Sequence, residues 1–332
     1  MTTKILNTDD NSITEGARIL KSGGLVAFAT ETVYGLGANA LDCNAVAKIF
    51  AVKGRPCDNP LIVHVASRRQ LLKLVRNVPK TAYRLMDAFM PGALTLVLPK
   101  TDAVPEIVTG GLDTIAVRIP SNGIALSLLD KCGLPICAPS ANKSGRPSPT
   151  KASHVLEDLN AVIDAVIDGG DCAIGVESTV VDFVKQTPRI LRCGGVSAED
   201  IKKISGKIIE TVDTAAALAP GMKYVHYAPK CDMYLVAYGQ AIDVRTVKKY
   251  QELSAQGAKP VIVCLQSSVR GYEGYNVMTA GATLEAYAKN IFDLLRIAEK
   301  SYTAIIAEGV PNDGIGRAIT NRLIKSCGGN IL

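Results

Sequence analysis

"GLVAFATETVYGLGANAL" (Gly24–Leu41) opens with an apolar, β-rich run of seven residues, after which the polar tips of Thr30, Glu31, Thr32 and Tyr34 follow at once. Ligand sites in α/β sheets lie beyond the carboxyl ends of strands, so this junction is a candidate binding edge. Gly35 and Gly37 would let backbone approach a ligand closely, and they equally suit a tight strand-to-helix turn.

Runs of the same kind recur: "LIVHV" (61–65), "LTLVL" (94–98), "TIAVRI" (114–119), "LPICA" (134–138), "AVIDAVI" (161–167), "STVVDF" (178–183) and "RILRC" (189–193). Between them, amphipathic spacing predicts helices over Asn44–Val52, Arg68–Val75, Thr81–Phe89, Gly123–Lys131 and Ser197–Ile204. Ser197 is the expected N-cap of the last, with Asp200 in the capping-box position. Eight strands separated by loops of uneven length predict a large twisted mixed α/β sheet rather than a regular βαβ repeat. Neither a G-x-G-x-x-G nor a P-loop fingerprint occurs.

The stretch from about 208 to 231 breaks at Pro220-Gly221 and again at Pro229, and reads as an extended connection. Tyr224, His226 and Tyr227 make it too rich for a passive spacer. Beyond it, "MYLVAY", "PVIVCL" and "AIIAE" alternate with helical stretches at Ala241–Leu253, Thr283–Lys300 and Gly316–Lys325. That alternation predicts a small parallel βαβ, Rossmann-like layer. Leu284, Tyr287, Ala288, Ile291, Leu294, Leu295 and Ala298 form the expected buried stripe of its long helix. The expected organisation is a large domain over 1–209, a linker over 210–231 and a C-terminal domain over 232–332.

Composition agrees with two soluble domains: 332 residues, 48% hydrophobic and 20% charged. No apolar run approaches the roughly 20 residues a membrane-spanning helix needs. The N-terminus has early acidic residues and no signal-peptide core, so a cytoplasmic location is expected. The nine Cys form no CxxC pair and there are only three His, which excludes the usual zinc constellations and points to reduced thiols. The net charge of +6 divides as 24 basic and 20 acidic residues up to residue 209, then 13 and 11. Such a balance permits an anionic ligand or a weak RNA contact without demanding nucleic acid.

Several polar residues sit where chemistry is expected. In "KGRPCDNPLIVH", Lys53 supplies a point charge and Arg55 a fork suited to phosphate, with Asn59 as an uncharged partner. His64 lies within an apolar strand on the same face as Ile62, where a histidine is commonly an ordinary core residue. Arg118 and Arg192 stand near strand ends, and burying Arg118 requires an anion, either an Asp or Glu of the fold or a substrate carboxylate. "GVESTVVDF" adds Glu177, Ser178 and Thr179, with no Ser-His-Asp order or G-x-S-x-G elbow. In "APSANKSGRPSPT" (Ala138–Thr150), Ser140 and Asn142 can bind phosphate or sugar hydroxyls, Ser148 and Thr150 can hydrogen-bond a nucleotide, and Lys143 and Arg146 either face solvent or steer an anionic ligand inward.

The ordered strings "TETVYGLGANAL", "KGRPCDNPLIVHV", "PGALTLVLP", "TIAVRIP", "APSANKSGRPSPT" and "GVESTVVD" resemble the YrdC-type family in its threonylcarbamoyl-AMP synthase form. "PGMKYVHYAP" and "DGIGRAITNRLIKSC" resemble the linker and C-terminal domain of its long version. The resemblance implies a nucleotidyltransferase that joins L-threonine, bicarbonate and ATP (with Mg2+) into threonylcarbamoyl-adenylate and pyrophosphate. Downstream transfer proteins then modify the adenosine next to the anticodon of ANN-decoding tRNAs. It implies that Thr32, His64, Arg118, the backbone at Ala138, and Ser178 hold threonine. Arg55, Asn59, Thr114, Ser140, Asn142, Ser148 and Arg192 would hold ATP, with His226 and Tyr227 closing over it. Lys53 and Arg55 would act electrostatically, with no covalent nucleophile and no metal held by protein side chains. The C-terminal domain is expected to anchor the linker as a lid.

Two positions depart from the family pattern in the linker, Ala219 for Ser and Val225 for a polar or basic residue, and Cys57 replaces a small polar residue. Two other readings are weaker. A hydrogenase-maturation module of YrdC type would carry paired-Cys zinc segments, absent here. An RNA-binding module would carry more than 5% aromatics and a stacking motif.

Overall fold

The structure is a computed structural model that describes residues 2–184, 187–206 and 226–332, and the backbone of 210–211. Most of the expected linker, including Ala219, Tyr224 and Val225, lies outside the described residues. The chain divides into two compact units: unit one comprises Met1–Ser144, Ser148–Ala173 and Glu177–Tyr224, and unit two Gly145–Pro147, Ile174–Val176 and Val225–Leu332.

Unit one begins with β1 (Lys4–Leu6), α1 (Asp10–Lys21), β2 (Val26–Phe28), β3 (Gly35–Asn39), α2 (Cys43–Lys53), β4 (Ile62–His64), α3 (Arg68–Leu72) and α4 (Lys80–Phe89). It continues with β5 (Leu94–Pro99), α5 (Glu106–Thr109), β6 (Thr114–Arg118), α6 (Gly123–Cys132), β7 (Ile136–Cys137), α7 (Ala152–Leu159), β8 (Ala165–Ile167), β9 (Thr179–Asp182), β10 (Arg189–Arg192), α8 (Ala198–Ser205) and β11 (Glu210–Thr211). The strands form one mixed sheet in the order β1-β8-β2-β3-β7-β4-β6-β5-β9-β10-β11. Alternation along β2 sends Val26 and Phe28 into one apolar cluster and Leu25, Ala27 and Ala29 into another, so the strand is covered on both faces. That double burial is why it reads as a continuous apolar run.

The expected mixed sheet is present, but the second half of the opening stretch is strand β3, antiparallel to β2 and β7, not a turn into a helix. Its glycines serve packing. A Cβ on Gly37 would stand 2.9 Å from the Phe28 ring, and one on Gly35 would stand 3.1 Å from the Ala138 Cβ. Likewise only the end of "AVIDAVI" is strand, because Ala161 takes a positive φ of 65° and turns the chain. Ser197 caps α8 as expected, its Oγ accepting from the Asp200 N–H at 3.0 Å.

Unit two holds β12 (Asp232–Val236), α9 (Ile242–Ala255), β13 (Pro260–Cys264), β14 (Val277–Thr279), α10 (Leu284–Ser301), β15 (Ala304–Glu308) and α11 (Gly316–Ser326). Its four strands are all parallel in the order β12-β15-β13-β14, the layer predicted from the alternation. Tyr287, Ala288, Ile291, Leu295 and Ala298 of α10 are buried as expected, and so, against expectation, is Arg296. No helix among the described residues is long and apolar enough to cross a membrane.

Candidate active site

The carboxyl ends of β4 and β6 carry the candidates His64 and Arg118, Thr114 stands at the opposite end of β6 and Ser178 just before β9, and two loops are knitted together by backbone hydrogen bonds. The Tyr34 and Leu36 N–H groups donate to the Pro149 and Pro139 carbonyls at 2.8 and 2.7 Å, and the Ala141 N–H donates to the Tyr34 carbonyl at 2.8 Å. The Ala138 N–H is spent on the Ile62 carbonyl at 2.9 Å. These bonds bring the segment at Thr30–Tyr34 beside Ala138–Asn142.

His64 and Arg118 end the adjacent parallel strands β4 and β6 and are register partners. Arg118 is only 3% exposed. Its Nε donates to the Gly92 carbonyl at 3.1 Å, just after the cis Met90–Pro91 bond, and its Nη1 donates to Thr32 Oγ1 at 2.9 Å. Nη2 stands 2.8 Å from Glu31 Oε1 as an ion pair, yet without hydrogen-bond angles, so Nη2 and both Glu31 oxygens are buried with no hydrogen bond. Burial works to raise the Glu31 carboxyl, but the adjacent Arg118 charge outweighs it and holds Glu31 below the usual range. His64 is pushed down to about 3, first by burial and then by the Arg118 charge, with Glu31 opposing. It is therefore a neutral imidazole at neutral pH, and its Nδ1 has no hydrogen-bond partner. Thus Arg118 has the acidic partner its position demanded, and the cluster still has polar capacity to spare.

Around the neighbouring loop, Arg55 donates from Nη2 to the Pro60 carbonyl at 3.1 Å, and Asn59 is buried with both carboxamide atoms lacking a hydrogen bond. Buried polar atoms are nearly always paired, so this carboxamide is a candidate contact for a ligand or a water. Lys53 differs from the expectation of a charge aimed at phosphate. Its ammonium is buried and donates to the Ser140 and Asn142 carbonyls. Burial, and then the Arg55 charge, lower its pKa well below the ordinary value.

Ser178 Oγ shares a 2.7 Å hydrogen bond with Thr95 Oγ1, and Arg192 Nη2 donates to Ser178 Oγ at 3.2 Å and to the Ser178 carbonyl at 3.0 Å. Ser148 Oγ donates to Glu177 Oε1 at 2.6 Å, both side chains being buried. Thr114 opens β6 opposite Pro99. Glu31, Thr95 and Glu177 are thus partners of the candidate residues. In the sequence Glu31 and Glu177 stand out as polar residues beside strands, whereas Thr95 lies inside the apolar run "LTLVL" and reads as an ordinary strand residue.

His226 and Tyr227 belong to unit two. There Tyr227, with a positive φ of 68°, stacks on Phe292 at 5.2 Å between ring centres, and the Arg322 guanidinium lies 5.7 Å from its ring. Arg146, open in the sequence between solvent and a steering role, pairs with Glu299 within the same unit, while Lys143 is exposed.

A family model described as "Telomere recombination" (Sua5/YciO/YrdC) matches residues 18–194, and one described as "Threonylcarbamoyl-AMP synthase, C-terminal domain" matches residues 196–328. Over 328 residues the chain is 48% identical to the threonylcarbamoyl-AMP synthase of Pyrococcus abyssi (strain GE5 / Orsay), covering 95% of this chain and 94% of that one. The chain belongs to the threonylcarbamoyl-AMP synthase family. It is 45% identical over 338 residues to the threonylcarbamoyl-AMP synthase of Bacillus subtilis (strain 168), covering 98% and 96% of the two chains. The crystal structure of P. abyssi Sua5 complexed with L-threonine superposes with a TM-score of 0.93 at 45% identity, covering 99% of each chain. The family and fold expected from the ordered strings both hold, and the enzyme is a threonylcarbamoyl-AMP synthase.

Proposed function

We propose that unit one performs this synthesis on L-threonine, bicarbonate and MgATP. The reading rests on the Arg118–Glu31–His64 cluster, where Arg118 Nη2, both Glu31 carboxylate oxygens and His64 Nδ1 are buried without hydrogen bonds. Arg118 binds the threonine carboxylate there, with Thr32, Ser178 and the backbone at Ala138 completing the wall. Glu31 holds the guanidinium in place and offsets its charge before substrate arrives. Neutral His64 adds a hydrogen bond without repelling the threonine ammonium. Arg55, Asn59, Thr114, Ser140, Asn142, Ser148 and Arg192 hold ATP. P. abyssi Sua5, crystallised with L-threonine, supports the threonine half of the reading.

Threonine must first shed its ammonium proton. The free amine and bicarbonate give the carbamate and water, and a carbamate oxygen then attacks the α-phosphorus and expels pyrophosphate. No protein nucleophile is needed. The protein aligns two anions and offsets the charge of the leaving pyrophosphate. Mg2+ enters on the ATP phosphates as part of the substrate. The product feeds tRNA modification through separate transfer proteins, and a weak tRNA contact fits the mild positive charge. We place the reaction in the cytoplasm, in keeping with nine free cysteines.

ATP–pyrophosphate exchange tests the reading. It should require threonine and bicarbonate together, and Arg118→Ala should raise the threonine KM at least about tenfold more than the ATP KM. Equal effects on the two would remove Arg118 from the threonine carboxylate. No exchange, with tight RNA binding instead, would favour a binding module.

A further inference from the structure

Helix α10 carries two buried charges near its end that the reaction does not use. The Glu299 side chain, 5% exposed, accepts from Arg146 Nη1 at 2.8 Å and also from Arg146 Nη2, as a two-pronged ion pair. Its Oε2 also accepts from the Lys230 N–H at 2.7 Å. Arg296, one turn earlier and 1% exposed, donates to the Pro147 carbonyl at 2.6 Å, and the Ala228 N–H donates to the Gly145 carbonyl at 2.8 Å. Every residue of Gly145–Pro147 is therefore gripped within unit two, and Glu299 ties the same grip to the segment that follows Tyr227.

The other short segment of unit two, Ile174–Val176, lies against the same helix. A Cβ on Gly175 would fall 2.3 Å from Lys289 Cα and 2.4 Å from the Lys289 carbonyl oxygen, and its φ is +80°, so only glycine is accommodated. The chain leaves the first segment directly into Ser148 and the second directly into Glu177, and these two side chains are hydrogen-bonded to each other in unit one. Ser144, just before the first segment, donates its N–H to the Lys53 carbonyl at 2.9 Å. Two gripped segments thus end on one hydrogen-bonded pair.

We infer that Arg146 and Glu299 are positioning residues, a lock that holds Gly145–Pro147 on α10 and thereby fixes Ser148 for ATP. The inference rests on the proposed contact of Ser148 with ATP. The lock acts through the peptide chain rather than on substrate, so its loss should appear in ATP binding. Removing one member of a buried ion pair strands the other charge, whereas exchanging the two restores the attraction.

Steady-state kinetics of the full chain decide the matter, with Arg146→Ala, Glu299→Gln, the exchange Arg146→Glu with Glu299→Arg, and Ser148→Ala. Glu299→Gln is nearly isosteric and retains an acceptor for Lys230, so it guards against simple unfolding. The expected result is an ATP KM raised about tenfold in each single lock variant, a threonine KM changed less than about twofold, and recovery in the exchanged pair. An ATP KM unchanged in both single variants, or raised no more than the threonine KM, would overturn the lock. If the lock variants raise the ATP KM and Ser148→Ala does not, the lock stands and the assignment of Ser148 falls. If no variant moves the ATP KM, both fall.

Discussion

His64 and Arg118 show how one cluster can store both binding capacity and pH sensitivity. His64 titrates near 6.5 in an unfolded chain but is held at about 3 in the native site, chiefly by burial. The unfolded state therefore binds a proton that the native state refuses. This contribution to stability is complete above about pH 6.5 and is lost progressively as pH falls toward 3, with a slope of at most about 1.4 kcal/mol per pH unit. Glu31, depressed as well, acts in the same sense only at lower pH, below its unfolded value of 4.5. Chemical unfolding between pH 7 and 5 should thus show a shallower pH dependence in His64→Gln than in the natural chain, and parallel curves would mean the native imidazole accepts a proton normally. The sequence made Arg118 legible as a buried charge in need of an anion, because burial cost follows from an apolar strand context. It left Glu31 unnamed as that anion, since pairing across separate strand ends depends on tertiary register.

Helix α2 illustrates what a motif conceals at the level of an element. "KGR" reads as two charges ready for phosphate, but Lys53 lies on the last turn of α2, facing inward, and its ammonium ties down the Ser140 and Asn142 carbonyls. Gly54, in the left-handed cap at φ +61°, then turns the chain toward Arg55, which is left half-buried. Lys53→Met would keep the aliphatic stem and remove the donor. Removing that buried donor should cost about 1–3 kcal/mol in all, since the Ser140 carbonyl still accepts from the Asn142 N–H at 3.0 Å, read by urea unfolding, together with a higher ATP KM. A variant of unchanged stability with only kcat reduced would restore Lys53 to a direct electrostatic role. Strands buried on both faces, such as β2 and β5, were legible because they are continuous apolar runs. Strand β3 was not, since its glycines resemble a turn until Phe28 and Ala138 are seen to fill the space above them. Helix α1 was read only for what it is not, though Asp9 caps it through the Ser12 N–H at 3.0 Å.

For the whole molecule, the parallel layer of unit two was legible from its regular alternation, whereas the membership of Gly145–Pro147 and Ile174–Val176 in that unit was not. Those six residues lie far in sequence from β12, and only folding assigns them. Unit one has its own apolar clusters, so a chain ending near residue 209 should retain cooperative unfolding. Without α10, however, Arg146 loses Glu299, the Pro147 carbonyl loses Arg296, and Gly175 loses the helix backbone it lies against. Turnover of the shortened chain should fall at least about tenfold with a raised ATP KM, since misplacing a binding group by a fraction of an ångström is enough for such a loss. Undiminished turnover in a shortened chain that unfolds cooperatively would show that unit one shapes its ATP wall alone, and that α10 only fastens the segments it touches.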